Sequence, residues 1–130
     1  MRLFKQGKDQ DPLARPVLLV EDDAGLRSYL ATILEEHGYR VIAAESGEEA
    51  LRELGSQSAV LAVLDVGLPG MDGFAVAEQL APDVPVIVVT GDPLRAKMRA
   101  YGRASNLTIL SKPISSEQFN QALLSAQAAL

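Results

Sequence analysis

The sequence predicts an α/β fold, a doubly wound five-stranded parallel sheet with helices packed on both of its faces. Five short apolar runs alternate along the chain with five stretches of helical periodicity. Within each run apolar residues follow one another without alternating with polar ones, which indicates strands that are buried on both faces. Right-handed crossovers leave few topologies for such a chain, although a different strand order is still open at this point.

Three strands and two helices are predicted in the first half of the domain. Residues 1–15 are polar and aperiodic and predict a flexible tail ahead of a single domain over residues 16–130. The strands are predicted over residues 17–20, 41–44 and 60–64. The first helix has apolar residues at i, i+3, i+4, i+7 and i+8 from Leu26 and ends at Gly38. The second helix begins with a Ser46–Glu49 capping box and continues to about Leu54.

The second half of the domain repeats the same alternation. Phe74, Ala77 and Leu80 indicate a short helix that has to end before Pro82. Strands are predicted over residues 86–89 and 107–110, and between them a helix begins after Asp92 as its N-cap and ends at Gly102. The last helix begins with a Ser115–Gln118 cap and has apolar residues at 119, 122, 123 and 126.

Length and composition exclude several classes of protein. The 130 residues correspond to one domain and leave no room for a separate output domain. Twelve basic and seventeen acidic residues give a net charge of −5, which argues against direct binding to nucleic acid. The absence of cysteine excludes disulfides, thiolate nucleophiles and cysteine-based zinc sites. No apolar run approaches the ~20 residues of a membrane span, so we expect a cytoplasmic protein without membrane contact.

Polar residues follow four of the five predicted strands. They are Glu21-Asp22-Asp23, Asp65, Thr90 and Lys112. The carboxyl ends of parallel strands meet at one edge of the sheet, so we expect these side chains to converge there. Two carboxylates ~4 Å apart repel by about 4 kcal/mol at an effective dielectric constant of ~20, and one lysine cannot offset several such pairs. A divalent cation is the natural remedy, and oxygen ligands favour Mg²⁺ or Mn²⁺ over zinc.

These residue types suit the handling of a phosphoryl group. A carboxylate can act as the nucleophile and form an acyl phosphate, while a metal ion and Lys112 offset charge on the phosphoryl oxygens. The Thr90 hydroxyl can donate a hydrogen bond to a phosphoryl oxygen. Taken singly, each residue also has a structural interpretation: Asp22 or Asp23 as a helix cap, Thr90 as an ordinary strand-end residue, and Lys112 as a solvated side chain. Their joint occurrence at four strand ends favours the phosphoryl site.

The pattern resembles the receiver domain of two-component response regulators, over about residues 16–130. The motifs are the acidic pair Glu21-Asp22, the run Asp65-Val66-Gly67-Leu68-Pro69-Gly70-Met71-Asp72-Gly73, Thr90-Gly91 and Lys112-Pro113. The resemblance implies a flavodoxin-like (βα)₅ fold with strand order 2-1-3-4-5. It implies that Asp65 accepts a phosphoryl group from a histidine kinase or a histidine phosphotransfer protein. It also implies Mg²⁺ held by Glu21, Asp22, Asp65 and the Gly67 carbonyl, and a cis peptide bond before Pro113.

Three features depart from the family pattern. The switch position, an aromatic residue in the family, is Ile109 here. Ser105-Asn106 stands where the family has Gly-Ala, and the segment between Asp65 and Thr90 is short. The resemblance also implies that Gly67 and Asp92, two positions after the acceptor and the threonine, tune dephosphorylation. It places a downstream protein partner on the face formed by the fourth helix, fifth strand and fifth helix.

Two further features have functional and structural interpretations. Arg95, Arg99 and Arg103 recur at every fourth position of the fourth helix and, with Lys97, form either a docking stripe for an acidic partner or a solvated face. The single histidine, His37, beside Gly38, is best interpreted as a cation at a helix C-terminus.

We therefore expect a signalling protein and not an enzyme, either a stand-alone receiver or one excised from a hybrid kinase. The alternative is a pseudo-receiver that acts as an interaction module without phosphorylation, which Ile109 keeps open. A haloacid-dehalogenase-like phosphatase would need a D-x-D motif, and Asp65-Val66-Gly67 lacks its second aspartate. A flavodoxin-like nucleotide or flavin binder would need a phosphate-cradling loop where the chain has Glu21-Asp22-Asp23.

Overall fold

The computed structural model describes residues 14–67, 73–100 and 107–128. Several predicted features therefore lie outside the described residues. They are residues 1–13 of the tail, residues 68–72 of the motif after the third strand, Tyr101, Gly102, Arg103, and Ser105-Asn106.

The described residues form five strands and five helices in strict alternation. The strands are β1 (Val17–Val20), β2 (Val41–Ala44), β3 (Leu61–Asp65), β4 (Val86–Thr90) and β5 (Leu107–Ser111). The helices are α1 (Ala24–Glu36), α2 (Gly47–Leu54), α3 (Gly73–Glu78), α4 (Pro93–Ala100) and α5 (Ser116–Ala128).

The strands form one parallel sheet in the order β2-β1-β3-β4-β5, which confirms the doubly wound, flavodoxin-like fold. The order reverses between β1 and β3, so the ends of these two strands flank a crevice at the carboxyl edge. Strands β1, β3 and β4 are buried throughout, whereas the edge strand β5 is half-exposed. Burial on both faces, which the apolar runs predict for all five strands, is therefore confirmed for β1, β3 and β4 but not for the edge strands β2 and β5, which each have only one neighbouring strand.

The sheet separates two hydrophobic cores. One contains Leu18, Leu64 and Val88 with Phe74 of α3 and Ala96 of α4. The other contains residues of the opposite strand faces, such as Leu19 and Val63, packed against α1 and α5 through Leu34 and Phe119. Alternate residues of the same strand point to opposite faces, so each strand contributes to both cores.

The predicted caps at Asp92 and Ser115 are present, and Asp23 caps α1, the structural interpretation that was open for Asp22 or Asp23. Asp23 accepts from the Leu26 amide at 2.9 Å and Asp92 from the Arg95 amide at 3.1 Å. Ser115 and Gln118 form a capping box, in which the side chain of each residue accepts a hydrogen bond from the backbone amide of the other. These caps fix where α1, α4 and α5 begin relative to the strand ends that precede them.

The second capping box differs from the predicted form. Ser46 accepts from the Glu49 amide at 3.2 Å, but the Glu49 carboxylate reaches the Glu45 amide at 3.0 Å, one residue before the cap. The helix α3 ends before Pro82 as predicted: it stops at Glu78, and the amides of Gln79 and Leu80 bond three residues back. This tight last turn precedes Pro82, which cannot continue a helix.

Ala14 and Arg15, at the end of the predicted tail, are held against the domain. The Arg15 guanidinium donates to the Ala59 carbonyl at 2.7 Å, and Arg40 donates to the Ala14 carbonyl at 2.7 Å. In the described part of the chain no helix has both the length and the apolar character needed to cross a membrane.

Candidate functional site

The carboxyl ends of four strands bring the predicted polar residues together. Val20 pairs with Leu64 in the parallel register of β1 and β3. Glu21, directly after β1, and Asp65, the last residue of β3, therefore lie side by side at the carboxyl edge. Thr90 pairs with Ser111 in the β4–β5 register, and the Lys112 amide donates to the Thr90 carbonyl at 2.7 Å. The parallel register thus gathers residues separated by up to 91 positions in the sequence.

Asp65 ends β3 and is almost fully buried, at 5% exposure. Its Oδ1 accepts from the Gly67 amide at 2.7 Å, and its Oδ2 accepts from Lys112 Nζ at 2.8 Å. Both oxygens are therefore oriented by donors from different parts of the chain. A carboxylate that is held in this way is available as a ligand or as a nucleophile at the mouth of the crevice.

Glu21 is fully buried directly after β1. Its Oε2 accepts from the Asp23 amide at 3.0 Å and from Lys112 Nζ at 3.4 Å. Oε1 lies 3.1 Å from Lys112 Nζ, yet it receives no hydrogen bond from the described residues. Burial raises the pKa of Glu21, the Asp65 charge adds to the rise, and the bonds from Asp23 and Lys112 oppose it.

Lys112 lies between the two buried carboxylates and is 28% exposed in its side chain. Burial alone would lower the pKa of Lys112, but the hydrogen bonds and charges of Asp65 and Glu21 outweigh burial and raise it. The ammonium group is thus held in its charged form. It offsets only part of the negative charge that the strand ends bring together.

The carboxylates of Glu21, Asp22 and Asp65 can hold a metal ion. One oxygen from each lies within 4.8 Å of the others, with Glu21 and Asp65 buried and Asp22 exposed. The buried Glu21 Oε1, which has no hydrogen bond from the described residues, is available to a cation at this site or to a water molecule bound to it. Three hard oxygen donors with excess negative charge fit a divalent cation of the Mg²⁺ class. This arrangement agrees with the predicted cation site.

Thr90 ends β4 and is 4% exposed. Its Oγ1 accepts from the Asp92 amide at 2.9 Å, which leaves the hydroxyl hydrogen free to be donated elsewhere. Asp92 in turn caps α4 through its own side chain. The structure therefore links the Thr90 hydroxyl to the first turn of α4 through one residue.

The remaining predicted positions lie around this group. The peptide bond between Lys112 and Pro113 is cis. Ile109, paired with Val88, is half-buried and packs against the core that contains Ala96 of α4. Gly67 is exposed beside Asp65, and a Cβ built on it would lie 3.4 Å from Asp65 Oδ1.

Arg27 was not identified from the sequence, and Gly73 was named only as the last residue of the motif after Asp65, without a role. Arg27 of α1 donates from Nη1 to the Glu21 carbonyl at 2.8 Å and to the Asp22 carbonyl at 3.4 Å. A Cβ on Gly73 would lie 2.7 Å from the Asp65 carbonyl oxygen, so α3 starts in backbone contact with the end of β3. The spacing of Arg27, four residues after the cap Asp23, is the only signal in the sequence that could have suggested its position.

Two other predicted features lie away from these strand ends. His37 lies at the C-terminus of α1 as its C-cap residue, and its Nε2 is 2.7 Å from Asn120 Oδ1 of α5. Arg95 and Lys97 of the predicted stripe are exposed on α4, next to the exposed apolar residues Leu94 and Met98. Arg103, also in that stripe, lies outside the described residues.

Comparisons with known proteins agree with this geometry. The family model described as response regulator receiver domain matches residues 17–124. Among curated relatives, transcriptional regulatory protein GlrR of Escherichia coli K12 is 34% identical over 110 residues, which are 82% of this chain and 25% of that protein. Transcriptional regulatory protein AfsQ1 of Streptomyces coelicolor is 43% identical over 76 residues, 57% of this chain and 34% of that protein. The chain thus spans about a quarter to a third of these relatives.

Solved structures give the same result. The signal receiver domain of an HD domain-containing protein from Pseudomonas fluorescens Pf-5 is 29% identical with a TM-score of 0.76, covering 88% of this chain and 95% of that one. A CheY-like response regulator receiver domain protein from Methanospirillum hungatei JF-1 is 26% identical with a TM-score of 0.72, covering 88% and 95%.

Proposed function

The chain belongs to the response regulator receiver domain family, and on that premise we propose that it takes up a phosphoryl group from a phosphohistidine donor onto Asp65. The reaction requires Mg²⁺, and the phosphorylated form differs from the free form in its affinity for partner proteins. The protein acts as a signalling module in a phosphorelay and not as an enzyme.

The position of Asp65 carries this proposal. It is a buried carboxylate at the end of a central strand, with a lysine ammonium at 2.8 Å and two further carboxylates within metal-binding reach. A structural aspartate needs a counter-charge, but it does not need two additional carboxylates converging on the same point. That excess of negative charge is what a site for a cation and a phosphoryl group requires.

Glu21, Asp22, Asp65 and the Gly67 carbonyl are the proposed protein ligands of Mg²⁺, with Mn²⁺ as a substitute. When bound, the ion offsets negative charge on the phosphoryl oxygens as the group is transferred. Asp22, which is exposed, would hold the ion directly together with Asp65 and the Gly67 carbonyl, whereas the buried Glu21, with its longer arm, would hold it through water.

The transfer is a displacement at phosphorus. One carboxylate oxygen of Asp65 supplies the electron pair for the new P–O bond as the P–N bond to the donor histidine breaks, and the imidazole nitrogen keeps that pair. The Lys112 ammonium, already 2.8 Å from Asp65, binds one phosphoryl oxygen, and the free hydroxyl hydrogen of Thr90 is donated to another. Gly67 and Asp92, beside these groups, govern the access of water and hence the rate of dephosphorylation.

The proposed donors are a histidine kinase or a histidine phosphotransfer protein, and the proposed location is the cytoplasm. A downstream protein partner binds the face formed by α4, β5 and α5, where Leu94 and Met98 are about 70% exposed beside Arg95 and Lys97.

Although the curated relatives are transcriptional regulatory proteins, no direct contact of this domain with nucleic acid is proposed, since its net charge is −5.

One observation favours a second candidate, a pseudo-receiver that binds partners without being phosphorylated. Ile109 is half-buried against the α4 core, and an isoleucine at this position has no ring that could rotate between an exposed and a buried state. A protein that keeps the fold and the docking face but has lost switching would tolerate this residue.

Intact mass spectrometry after incubation with a small-molecule phosphodonor distinguishes the two candidates. We expect the mass of one phosphoryl group on the wild-type protein in Mg²⁺ and no addition when Mg²⁺ is chelated. Asp65→Asn, which keeps the size of the side chain but removes the nucleophile, is expected to show no addition. A folded wild-type protein that binds Mg²⁺ but gains no mass, even with a phosphohistidine donor, would favour the pseudo-receiver.

A further inference from the structure

The loop of residues 21–23 that carries two of the proposed cation ligands is bonded to the first turn of α1 at several points. The Leu26 amide donates to Asp23 Oδ1 at 2.9 Å and the Arg27 amide donates to the Asp23 carbonyl at 2.8 Å. These bonds hold the end of the loop at Asp23. The Glu21 amide donates to the Ala44 carbonyl at 3.1 Å, but neither this bond nor those at Asp23 involve the carbonyls of Glu21 and Asp22.

The Arg27 side chain supplies that missing contact. Its Nη1 donates to the Glu21 carbonyl at 2.8 Å and approaches the Asp22 carbonyl at 3.4 Å. The side chain is half-buried, so water competes only partly for these carbonyls. Hydrogen bonds from a charged donor are about twice as strong as neutral ones.

One peptide unit connects Arg27 to the buried carboxylate. The Asp22 carbonyl and the Asp23 amide belong to the same planar group, so fixing one end fixes the direction of the other. The carbonyl end faces Arg27 Nη1, and the amide end donates to Glu21 Oε2 at 3.0 Å. Contact with Arg27 at one end of this plane therefore orients the Glu21 carboxylate at the other end.

We propose that Arg27 is a positioning residue that orients the Glu21 and Asp22 carboxylates for the divalent cation by holding the backbone carbonyls of the loop. This inference rests on the proposed function, because it takes these two carboxylates as ligands of Mg²⁺. Arg27 itself touches neither the cation nor the phosphoryl group.

The direction in which a substitution of Arg27 changes the affinity for Mg²⁺ distinguishes a positioning role from a simple effect of charge. Removing a positive charge beside a cation site would by itself tighten Mg²⁺ binding, since like charges repel. Loss of positioning weakens binding, and residues that orient metal ligands typically contribute ten- to a hundredfold in affinity. We therefore expect Arg27→Gln to bind Mg²⁺ about tenfold more weakly than wild type, against the direction that charge alone predicts.

Isothermal titration calorimetry with Mg²⁺ alone, on the full chain, tests this expectation. The control is Arg52→Gln, which removes the same charge at the C-terminal end of α2, at the opposite edge of the sheet, and is expected to change the dissociation constant less than twofold. A dissociation constant of Arg27→Gln equal to or lower than that of wild type would overturn the proposal. Wild-type protein that binds no Mg²⁺ would instead refute the proposed function.

Two further measurements guard against a general loss of structure. Arg27→Lys keeps a charged donor on a shorter arm, and we expect its affinity to lie between those of wild type and Arg27→Gln. In Mg²⁺-free buffer, the amide resonance of Asp23 is expected to shift in Arg27→Gln while amides of β4 stay in place. An unmoved Asp23 amide, or Arg27→Lys binding more weakly than Arg27→Gln, would contradict the connection through the peptide unit.

Discussion

Lys112→Met is expected to lower the free energy of unfolding by about 2 kcal/mol in Mg²⁺-free buffer. The substitution leaves Glu21 and Asp65 buried without their shared ammonium group, which lies 3.1 and 2.8 Å from them. Removing one partner of a fully buried ion pair costs about 3–5 kcal/mol, and the 28% exposure of Lys112 reduces that figure. Urea denaturation measures the change, with the exposed α4 residue Lys97→Met as the matched control.

Saturating Mg²⁺ is expected to recover most of this loss, because a cation bound by the folded state alone stabilises it by mass action. The pH dependence has a definite sign. The pKa of Lys112 is raised above its ordinary value of 10.5, so its stabilisation is fully present below that pH and is lost as pH rises through the folded pKa. A loss of unfolding free energy in Lys112→Met that saturating Mg²⁺ leaves unchanged would contradict this explanation. So would a loss that disappears between pH 7 and 9.

Gly73→Ala is expected to destabilise the protein by about 2 kcal/mol. The new Cβ would lie 2.7 Å from the Asp65 carbonyl oxygen and 3.0 Å from Leu64 Cβ, neither of which can move without shifting β3. Overpacking against backbone costs about 3 kcal/mol, and the better helix propensity of alanine returns at most about 1 kcal/mol. Chemical denaturation with Gly91→Ala as control provides the measurement.

The control separates the steric effect from any general effect of adding a methyl group. Among the described residues, those adjacent in the chain aside, no heavy atom lies within 4 Å of a Cβ at position 91, so Gly91→Ala is expected to change stability by less than about 0.5 kcal/mol. Because the clash in Gly73→Ala is with Asp65 itself, we also expect slower phosphoryl uptake in that variant. Equal stabilities of the two variants would show that α3 can move away from β3 without cost.

Local and periodic features of the fold were predictable from the sequence. The buried strands, the caps at Asp23, Asp92 and Ser115, and the convergence at the carboxyl edge follow from apolar runs, from residue types that bond to nearby amides, and from the parallel topology. These features depend on residues close in sequence or on a rule that holds for every parallel sheet. The cis bond before Pro113 was expected only from the family resemblance and is present.

Features that depend on how far a side chain reaches, on helix packing or on the path of a loop were not predictable. The shared position of Lys112 between Glu21 and Asp65 depends on how far each side chain reaches across the crevice. The close approach of Gly73 to Asp65 depends on the packing of α3 on β3, and the contact of Arg27 with the Glu21 carbonyl depends on the path of the loop. Neither residue type nor spacing specifies such distances.

Locating the modified residue tests the role of Asp65 most directly. Borohydride reduces an aspartyl phosphate to homoserine, so phosphorylated protein that is reduced, digested and analysed by tandem mass spectrometry carries a permanent mark at the acceptor. We expect homoserine at position 65 only, formed in the presence of Mg²⁺ and absent when Mg²⁺ is chelated. Homoserine at position 22 or 92, or a phosphoryl group that survives in Asp65→Asn, would show that another residue is the acceptor.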